Sequence, residues 1–436
     1  MDEQLSILRS TIQSIRFRYQ GSERIQNANS NIYLKVTPEK TNLMTLKSQA
    51  LDHWIRSDFR EMNTVLEESY FASSERHSTQ DIGASVKQQL VDEGRALIIE
   101  LLREGNTDEG FDSGFDLLGN VGFYMAACRR HDITEPSRES RSPLQEASAL
   151  AMQLGASLGV VPRFASCHLE THNYALDGVY KTFTDLNDEK IFLDYNTRSV
   201  FAFIRASEAL RQILPLGISH PVTYDLLLSA KQSLEDVYRF NQLLFEKLDI
   251  DRFFYCVRPY YRPHRVGLHE YRGANAGDFA GINVIDLLLG VCQADDPYYS
   301  QLLVDKFLFM RPEDQLTLRD CMRRQSLLDS FLHASKIEGS SKNNWFVRNL
   351  TLFLEVCTAH GNVAKQHHES LVSKFIDQPA AAGGLTDSSV ITASGPPLPV
   401  LLKGLKKLCD MRCALNVGNK FKTRYSDIEY LKDSLK

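Results

Sequence analysis

The 436-residue sequence lacks any apolar run long enough to cross a bilayer or to serve as a signal peptide, and it lacks a basic segment. Lysine and arginine are scattered along the chain, and the net charge at pH 7 is −5. Nucleic-acid binding usually requires a basic face, so we expect neither a nucleic acid nor a membrane as a partner. We expect a cytoplasmic protein, and its 43% content of hydrophobic residues is sufficient for a large core.

The sequence also lacks a Cys-x-x-Cys motif. Its eight cysteines are dispersed, and the closest pair is Cys409 and Cys413. On a helix these two thiols would lie one turn apart on the same face. No second pair completes the four ligands of a structural zinc site, so the cysteines are expected to be reduced, buried thiols.

Strand-like alternation and hairpin turns are nearly missing, whereas helical periodicity runs through most of the chain. Between residues 223 and 248, apolar side chains recur every three or four positions and charged side chains occupy the other faces. Similar patterns occur at 84–104, 144–158, 197–213, 300–310, 316–335, 345–359 and 398–414. The sequence therefore predicts an all-α fold.

Two irregular stretches interrupt the helical pattern. A chain of this length exceeds the usual size of a single core. The polar stretch 129–145 predicts a boundary between an N-terminal helical region, 1–130, and a C-terminal helical domain, 145–436. The second stretch, 377–399, is too long for a simple connector and predicts a loop that closes over a site.

Three histidines lie within fourteen residues, in "EVCTAHGNVAKQHH" at 355–368. His360 and His367 are separated by a helical rise of roughly 10 Å, and His367 and His368 diverge by about 100°, so no two of them chelate one ion well. His360 ends an apolar helix and precedes Gly361, which leaves room for a flat ligand. A single imidazole on a core helix suits an axial haem ligand, and the alternative is a hydrogen-bonded structural histidine.

The stretch 255–291 contains the other informative residues. Its glycines do not form a phosphate loop, because no strand precedes them and no Gly-Lys-Ser/Thr follows. Gly273 and Ala274 are small enough for backbone to approach a ligand closely. Arg258 lies among tyrosines, and it is either a structural salt-bridge partner or a bidentate clamp for a carboxylate.

Several ordered segments resemble the haem superfamily of indoleamine and tryptophan 2,3-dioxygenases, and most closely the monodechloroaminopyrrolnitrin synthase family. They are residues 159–200, "VRPYYRP" (257–263), "EYRGANAGDFAGINVIDLLLGV" (270–291), "AHGNVAKQHH" (359–368) and "TASGPP" (392–397). The similarity extends over roughly residues 110 to 415, and it implies a large helical haem domain of the indoleamine-dioxygenase type with a smaller N-terminal helical region.

The resemblance also implies roles for single residues. His360 would be the axial ligand of haem b, with Gly361 beside it, and His367 would lie on the helix surface. Ser394 and His368 would be catalytic residues that position the amine or ring N–H of the substrate. The substrate-binding residues implied are Arg258 for the carboxylate, Ile191, Phe192 and Tyr195 above the iron, and Glu170, Gly273 and Ala274.

One departure concerns the basic residue that the dioxygenases commonly carry one turn before the ligand, where this chain has Cys357. Arg348, Lys365 and Lys403 are therefore the candidate partners of the haem propionates. The polar residues His168, Glu170 and His172 stand where the dioxygenases are largely apolar, which favours specialised metabolism.

We expect a haem-dependent enzyme that uses dioxygen or peroxide to oxygenate or rearrange tryptophan or a related aromatic amino acid, chlorinated or not. One alternative is a tryptophan or indoleamine 2,3-dioxygenase of catabolism. The other is a non-catalytic haem sensor or helical interaction protein.

Overall fold

A computed structural model describes residues 45–105, 110–134, 142, 144–274, 279–337, 339, 343–385, 392–393 and 396–436. Helices dominate these residues, which confirms the all-α prediction. In chain order the helices are α1 Leu46–Arg56, α2 Asp58–Ala72, α3 Ala84–Glu104, α4 Phe111–Arg130, α5 Gln145–Leu158, α6 Asn187–Leu216, α7 Thr223–Lys247, α8 Ala280–Leu289, α9 Pro297–Phe307, α10 Pro312–Met322, α11 Leu327–Ser335, α12 Asn344–Gln366, α13 Gln378–Ala382, α14 Leu398–Arg412 and α15 Tyr425–Asp433. None of the helices described is both long enough and apolar enough to traverse a membrane.

Shorter elements connect α7 to α8. A helical turn at Ile250–Arg252 continues into a π-helical turn at Phe253–Val257 and a 3₁₀ turn at Arg258–Tyr261. An antiparallel pair of three-residue strands follows, β1 His264–Val266 and β2 His269–Tyr271. These elements bring the chain from the end of α7 past the arginines of the predicted substrate site.

Buried apolar side chains form two large clusters. The first cluster joins α1–α5 to the start of α6 and to residues 253–274, and it includes Trp54 and Phe123. The second cluster joins the rest of α6 to α7, α8, α10, α11 and α12, and Trp345 packs against it. Helix α6 contributes to both clusters and therefore links them.

The first cluster crosses the predicted domain boundary. It contains Leu90 and Phe123 from the N-terminal side of 129–145, together with Leu150 and Tyr261 from the C-terminal side. The described residues all belong to one compact unit, Met44–Lys436. The breaker-rich stretch therefore does not separate two cores, because the helices on both of its sides bury their apolar faces against each other. Residues 1–44 of the predicted N-terminal region lie outside the described residues.

The predicted helix 316–335 is two helices in the structure. Helix α10 ends at Met322, and α11 begins after Ser326, whose side-chain oxygen accepts a hydrogen bond from the Asp329 N–H at 3.1 Å. A serine at the N-cap satisfies one of the free N–H groups of the first turn, so the chain gains by starting a new helix here. The apolar periodicity continues across this break and concealed it in the sequence.

Helix α12 does not end at His360, as the predicted range 345–359 implied. It runs directly into a π-helix at His367–Asp377, which is followed by α13. The first residues of the predicted closing loop 377–399 are therefore helical, and residues 386–391 and 394–395 lie outside the described residues. A π-helix is uncommon and is found frequently at functional sites, because the wider turn reorients its side chains.

Candidate functional site

A row of aromatic rings connects the π-helix to the start of α6. The Phe375 ring centroid lies 6.1 Å from that of Phe253, Phe253 lies 5.0 Å from Phe192, and Phe192 lies 5.7 Å from Tyr261. We call these four residues the aromatic row. Phe192 is one of the residues predicted to lie above the iron, so the row joins the predicted distal wall to the segment that follows His367.

The other two residues of the predicted distal wall flank Phe192 on α6. Ile191 is half-buried against the first cluster. Tyr195 is buried, and its hydroxyl accepts a hydrogen bond from the Lys247 ammonium at 2.5 Å. The Glu170 carboxylate is also buried and accepts a hydrogen bond from the Asn196 side chain. Glu170 is therefore held against α6 by the residue that follows Tyr195.

The arginine segment, residues 258–262, begins beside the aromatic row. The Arg258 guanidinium lies 5.8 Å from the Phe254 ring centroid, and burial lowers the Arg258 pKa to about 9. Burial and the positive charges of neighbouring arginines also lower the pKa of Arg262 to about 9. No hydrogen bond or ion pair joins either guanidinium to a carboxylate of the described residues. Both side chains line one cavity, so an incoming anion can reach them.

Gly273 connects the arginine segment to the closing loop. A Cβ atom on Gly273 would lie 1.7 Å from the Tyr261 carbonyl oxygen, so no larger residue fits there. The Gly273 N–H donates a hydrogen bond to the Ala393 carbonyl at 2.9 Å, and the Gly273 carbonyl accepts one from Arg163 at 3.1 Å. Ala274 is buried in the first cluster. Ser394 follows Ala393 but lies outside the described residues.

Two buried histidines lie near Glu170. The Ala165 N–H donates a hydrogen bond to His168 Nδ1 at 3.1 Å, which leaves the proton on the buried Nε2 atom. His172 Nε2 lies 2.9 Å from an Arg311 guanidinium nitrogen, and burial followed by the Arg311 charge lowers the His172 pKa to about 4. Both rings are therefore neutral at pH 7.

His360 is held in a polar network inside the second cluster. Its Nε2 atom lies 2.7 Å from a carboxylate oxygen of Asp286, and His360 is only 2% exposed. The other Asp286 oxygen accepts hydrogen bonds from Arg412 at 2.8 Å and from Tyr299 at 2.7 Å. Burial alone would raise the Asp286 pKa, but Arg412 and His360 lower it below its ordinary value. These contacts are those of a hydrogen-bonded structural histidine, which was the alternative to a ligand role for His360.

The space beside Gly361 is filled. A Cβ atom there would lie 3.2 Å from the Cys413 Cα atom, and the Cys413 thiol donates a hydrogen bond to the Gly361 carbonyl at 3.3 Å. Room for a flat ligand, which the sequence analysis expected from this glycine, is absent because the end of α14 packs against it. The glycine allows two helices to approach closely.

His367 and His368 begin the π-helix. His368 is half-buried, and its Nδ1 atom has no hydrogen-bond partner among the described residues. His367 is exposed, which agrees with its predicted position on the helix surface. The π-helix itself was not predicted, because nothing in the local sequence pattern indicates one.

The structure thus brings together most of the predicted substrate residues and leaves His360 apart from them. Ile191, Phe192, Tyr195 and Ala274 belong to or pack against the first cluster, as Phe375 of the π-helix does. His360 instead contacts Asp286 of α8, which also accepts hydrogen bonds from Tyr299 of α9 and Arg412 of α14.

Comparison with known families identifies a relationship that covers nearly all of the described residues. The family model described as Monodechloroaminopyrrolnitrin synthase PrnB matches residues 45–435, which include the aromatic row, the arginine segment and the π-helix. The match confirms the resemblance inferred from the ordered segments. The chain therefore belongs to the monodechloroaminopyrrolnitrin synthase family and is an enzyme, a haem-dependent oxidoreductase of the oxygenase type.

Proposed function

We propose that this enzyme oxygenates or rearranges an aromatic amino acid, tryptophan or a relative of it, in specialised metabolism, with dioxygen or peroxide as the oxidant. The observation that supports the substrate class is Arg258, a half-buried arginine that lines a cavity beside an aromatic ring and has no carboxylate partner among the described residues. The aromatic row supplies faces against which a planar ring packs. Dioxygenase activity of the catabolic type would use the same residues, and product analysis separates the two.

The cofactor, which we take to be haem b, requires one neutral imidazole with a nitrogen that is free to coordinate. His360 Nε2 is committed to Asp286, and the Nδ1 atoms of His360 and His368 are both buried without a hydrogen-bond partner among the described residues. His360 lies apart from the predicted substrate residues, whereas His368 lies on the π-helix that also carries Phe375 of the aromatic row. We therefore propose that His368, rather than His360, would bind the haem iron, in place of its expected role in substrate positioning.

Lys365 supports this choice. It lies three residues before His368 and is exposed at the end of α12. Residues three apart on a helix are neighbours on one face. Lys365 therefore provides the basic residue one turn before the ligand that the dioxygenases commonly carry, whereas Cys357 occupies that position relative to His360. Lys365 would then pair with a haem propionate.

The haem supplies the oxidising chemistry when it is bound. The protein residues bind and orient the substrate around it. Arg258 holds the carboxylate by a charge-assisted pair, and the aromatic row excludes water and fixes the plane of the ring. The bond between Gly273 and Ala393 anchors the closing loop, from which Ser394 would contact the amine or ring N–H.

The spectrum of purified variants tests the ligand. We expect His368→Gly to lose haem or the spectrum of histidine-ligated haem, and added imidazole to restore that spectrum. His360→Gln should keep the spectrum while lowering stability, because it disturbs the network around Asp286. His367→Ala, one residue away, is the matched control and should retain haem.

The opposite pattern would reject the assignment. If His368→Gly keeps an unchanged Soret band while folded His360→Gln loses it, the ligand is His360, as the sequence analysis predicted. A wild-type protein that never takes up haem would reject the proposed function as a whole.

A further inference from the structure

The cavity at the arginine segment contains a second arginine that the proposed mechanism does not use. Arg262 lines this cavity together with Arg258, Arg130, Phe254, Tyr255 and Leu385. None of the described residues that line it is an acid. The cavity therefore presents a concentration of positive charge without a matching negative charge on its wall.

The third arginine is already neutralised. Arg130 donates two hydrogen bonds of 2.7 Å to the two carboxylate oxygens of Glu67, and a third of 3.0 Å to the Tyr255 carbonyl. Its charge is balanced, and three of its five N–H donors are occupied by these bonds. Arg130 contributes to the shape of the cavity, and the uncompensated charge comes from Arg258 and Arg262.

Two acids that interact electrostatically with Arg262 are Glu67, which pairs with Arg130, and Asp132, and both are engaged elsewhere. Asp132 raises the Arg262 pKa slightly against the stronger effects of burial and of Arg130. Its carboxylate accepts the Thr79 hydroxyl at 2.7 Å and lies 3.7 Å from an Arg129 nitrogen. Asp132 forms no ion pair with Arg262. Unpaired charges away from bulk water are unfavourable. An anion bound between the Arg258 and Arg262 guanidinium groups would remove this cost.

We infer that Arg262 is a second anion-binding residue, and that Arg258 and Arg262 together form a receptor for a carboxylate ligand whose net charge is negative. An amino acid zwitterion brings an ammonium group for which this cavity offers no acid. A carboxylate without a neighbouring ammonium matches the charge of the wall better. The assignment of the ligand to the substrate rests on the proposed function, whereas anion binding rests on the geometry alone.

The carboxylate has two possible sources, the substrate or a haem propionate, and binding measurements distinguish them. The probes are indole-3-propionate, L-tryptophan and tryptamine, titrated calorimetrically into the full-length protein. We expect indole-3-propionate to bind most tightly, tryptophan less tightly, and tryptamine not at all. Arg262→Met should weaken indole-3-propionate binding by about tenfold or more, as for removal of one buried charged partner.

Arg252→Met is the matched control. Arg252 lies in the same stretch of chain, but its guanidinium already pairs with Glu68 at 2.8 Å. Its removal should leave probe binding unchanged. Arg262→Lys keeps the charge and should retain part of the affinity. This variant keeps the test decisive if Arg262→Met fails to fold.

The rate of haem transfer to apomyoglobin provides the second arm. If Arg262→Met weakens the indole carboxylate alone, the substrate is the ligand. If it accelerates haem loss alone, a propionate is the ligand, and either result supports the carboxylate receptor. Unchanged probe binding together with unchanged haem transfer overturns it, as does tighter binding of tryptamine than of indole-3-propionate. A colourless protein that still binds the carboxylate through Arg262 would reject the proposed function and leave this inference standing.

Discussion

Two neighbouring glutamates on α2 experience opposite environments. Glu67 is fully buried and forms its two-bond pair with Arg130, whereas the Glu68 side chain is 50% exposed where it meets Arg252. A buried ion pair is costly to break because one charge is left without a partner, and an exposed pair contributes little since water replaces it.

This contrast leads to a prediction at the level of single residues. Glu67→Gln should lower the free energy of unfolding by about 3–5 kcal/mol. Glu68→Gln should change it by at most about 1 kcal/mol. Urea unfolding followed by circular dichroism measures both values, and equal losses in the two variants would contradict the role given to the Glu67–Arg130 pair.

Single residues also mark the limit of reasoning from sequence. Arg258 was identifiable, because an arginine among tyrosines is unusual locally. The engagement of His360 was not, because its partner Asp286 lies 74 residues earlier in the chain and no local pattern links the two. Hydrogen bonds between distant residues depend on tertiary packing, so the local pattern left both a structural and a ligand role for His360 open, and the resemblance favoured the ligand role.

At the scale of elements, the close contact of Gly273 with the backbone of the arginine segment leaves no room for a larger side chain at position 273. Gly273→Ala places a methyl group against the Tyr261 carbonyl, so the backbone at residue 273 must move away from the backbone at residue 261. We expect a loss of several kcal/mol in stability, as in other overpacked sites, and weaker binding of indole carboxylates because Arg262 moves. Calorimetric titration and thermal unfolding measure these two effects.

Gly404 provides the control for that variant. It lies inside α14, where a Cβ atom would meet only the Tyr298 hydroxyl, at 3.3 Å. Alanine favours a helix interior over glycine, so Gly404→Ala should be neutral or slightly stabilising. Comparable damage in both variants would mean that the Gly273 contact is not special.

The elements that the sequence predicted best are those with strong amphipathic periods. Helices α3, α5, α7 and α14 match their predicted ranges to within two residues, since burial of one face determines them. The π-helix and α13 were missed because Pro379 and the following glycines indicate a loop. Proline is tolerated in the first turn of α13, where its missing N–H costs no hydrogen bond. Strands of three residues, such as β1 and β2, are too short for an alternating pattern.

At the scale of the whole molecule, buried neutral histidines govern the response to acid. Burial, followed by the charges of Arg163 and Arg129, lowers the His264 pKa to about 3, and burial lowers those of His131 and His168 well below their ordinary values. The folded pKa lies below the unfolded value, so the unfolded chain binds more protons below pH 6.5. Stability therefore rises with pH and is lost on acidification.

We predict a steep loss of stability between about pH 6.5 and pH 4. His264 alone should account for roughly 3 kcal/mol across that range, since each pKa unit corresponds to about 1.4 kcal/mol. His264→Gln should flatten the pH profile of the unfolding free energy. His269→Gln, at the exposed end of the same strand pair, should leave the slope unchanged, and a flat wild-type profile would refute the prediction.

The two clusters each have their own tryptophan, and these are the only two in the chain. Trp54 is buried in the first cluster and donates a hydrogen bond to Glu93 at 2.8 Å, whereas Trp345 packs against the second cluster with its ring 5.8 Å from Phe346. The molecule thus contains a built-in pair of fluorophores in separate surroundings. Replacing either one by phenylalanine leaves tryptophan emission from the other cluster alone. Fluorescence can then follow separately how each cluster unfolds, folds or responds to a ligand.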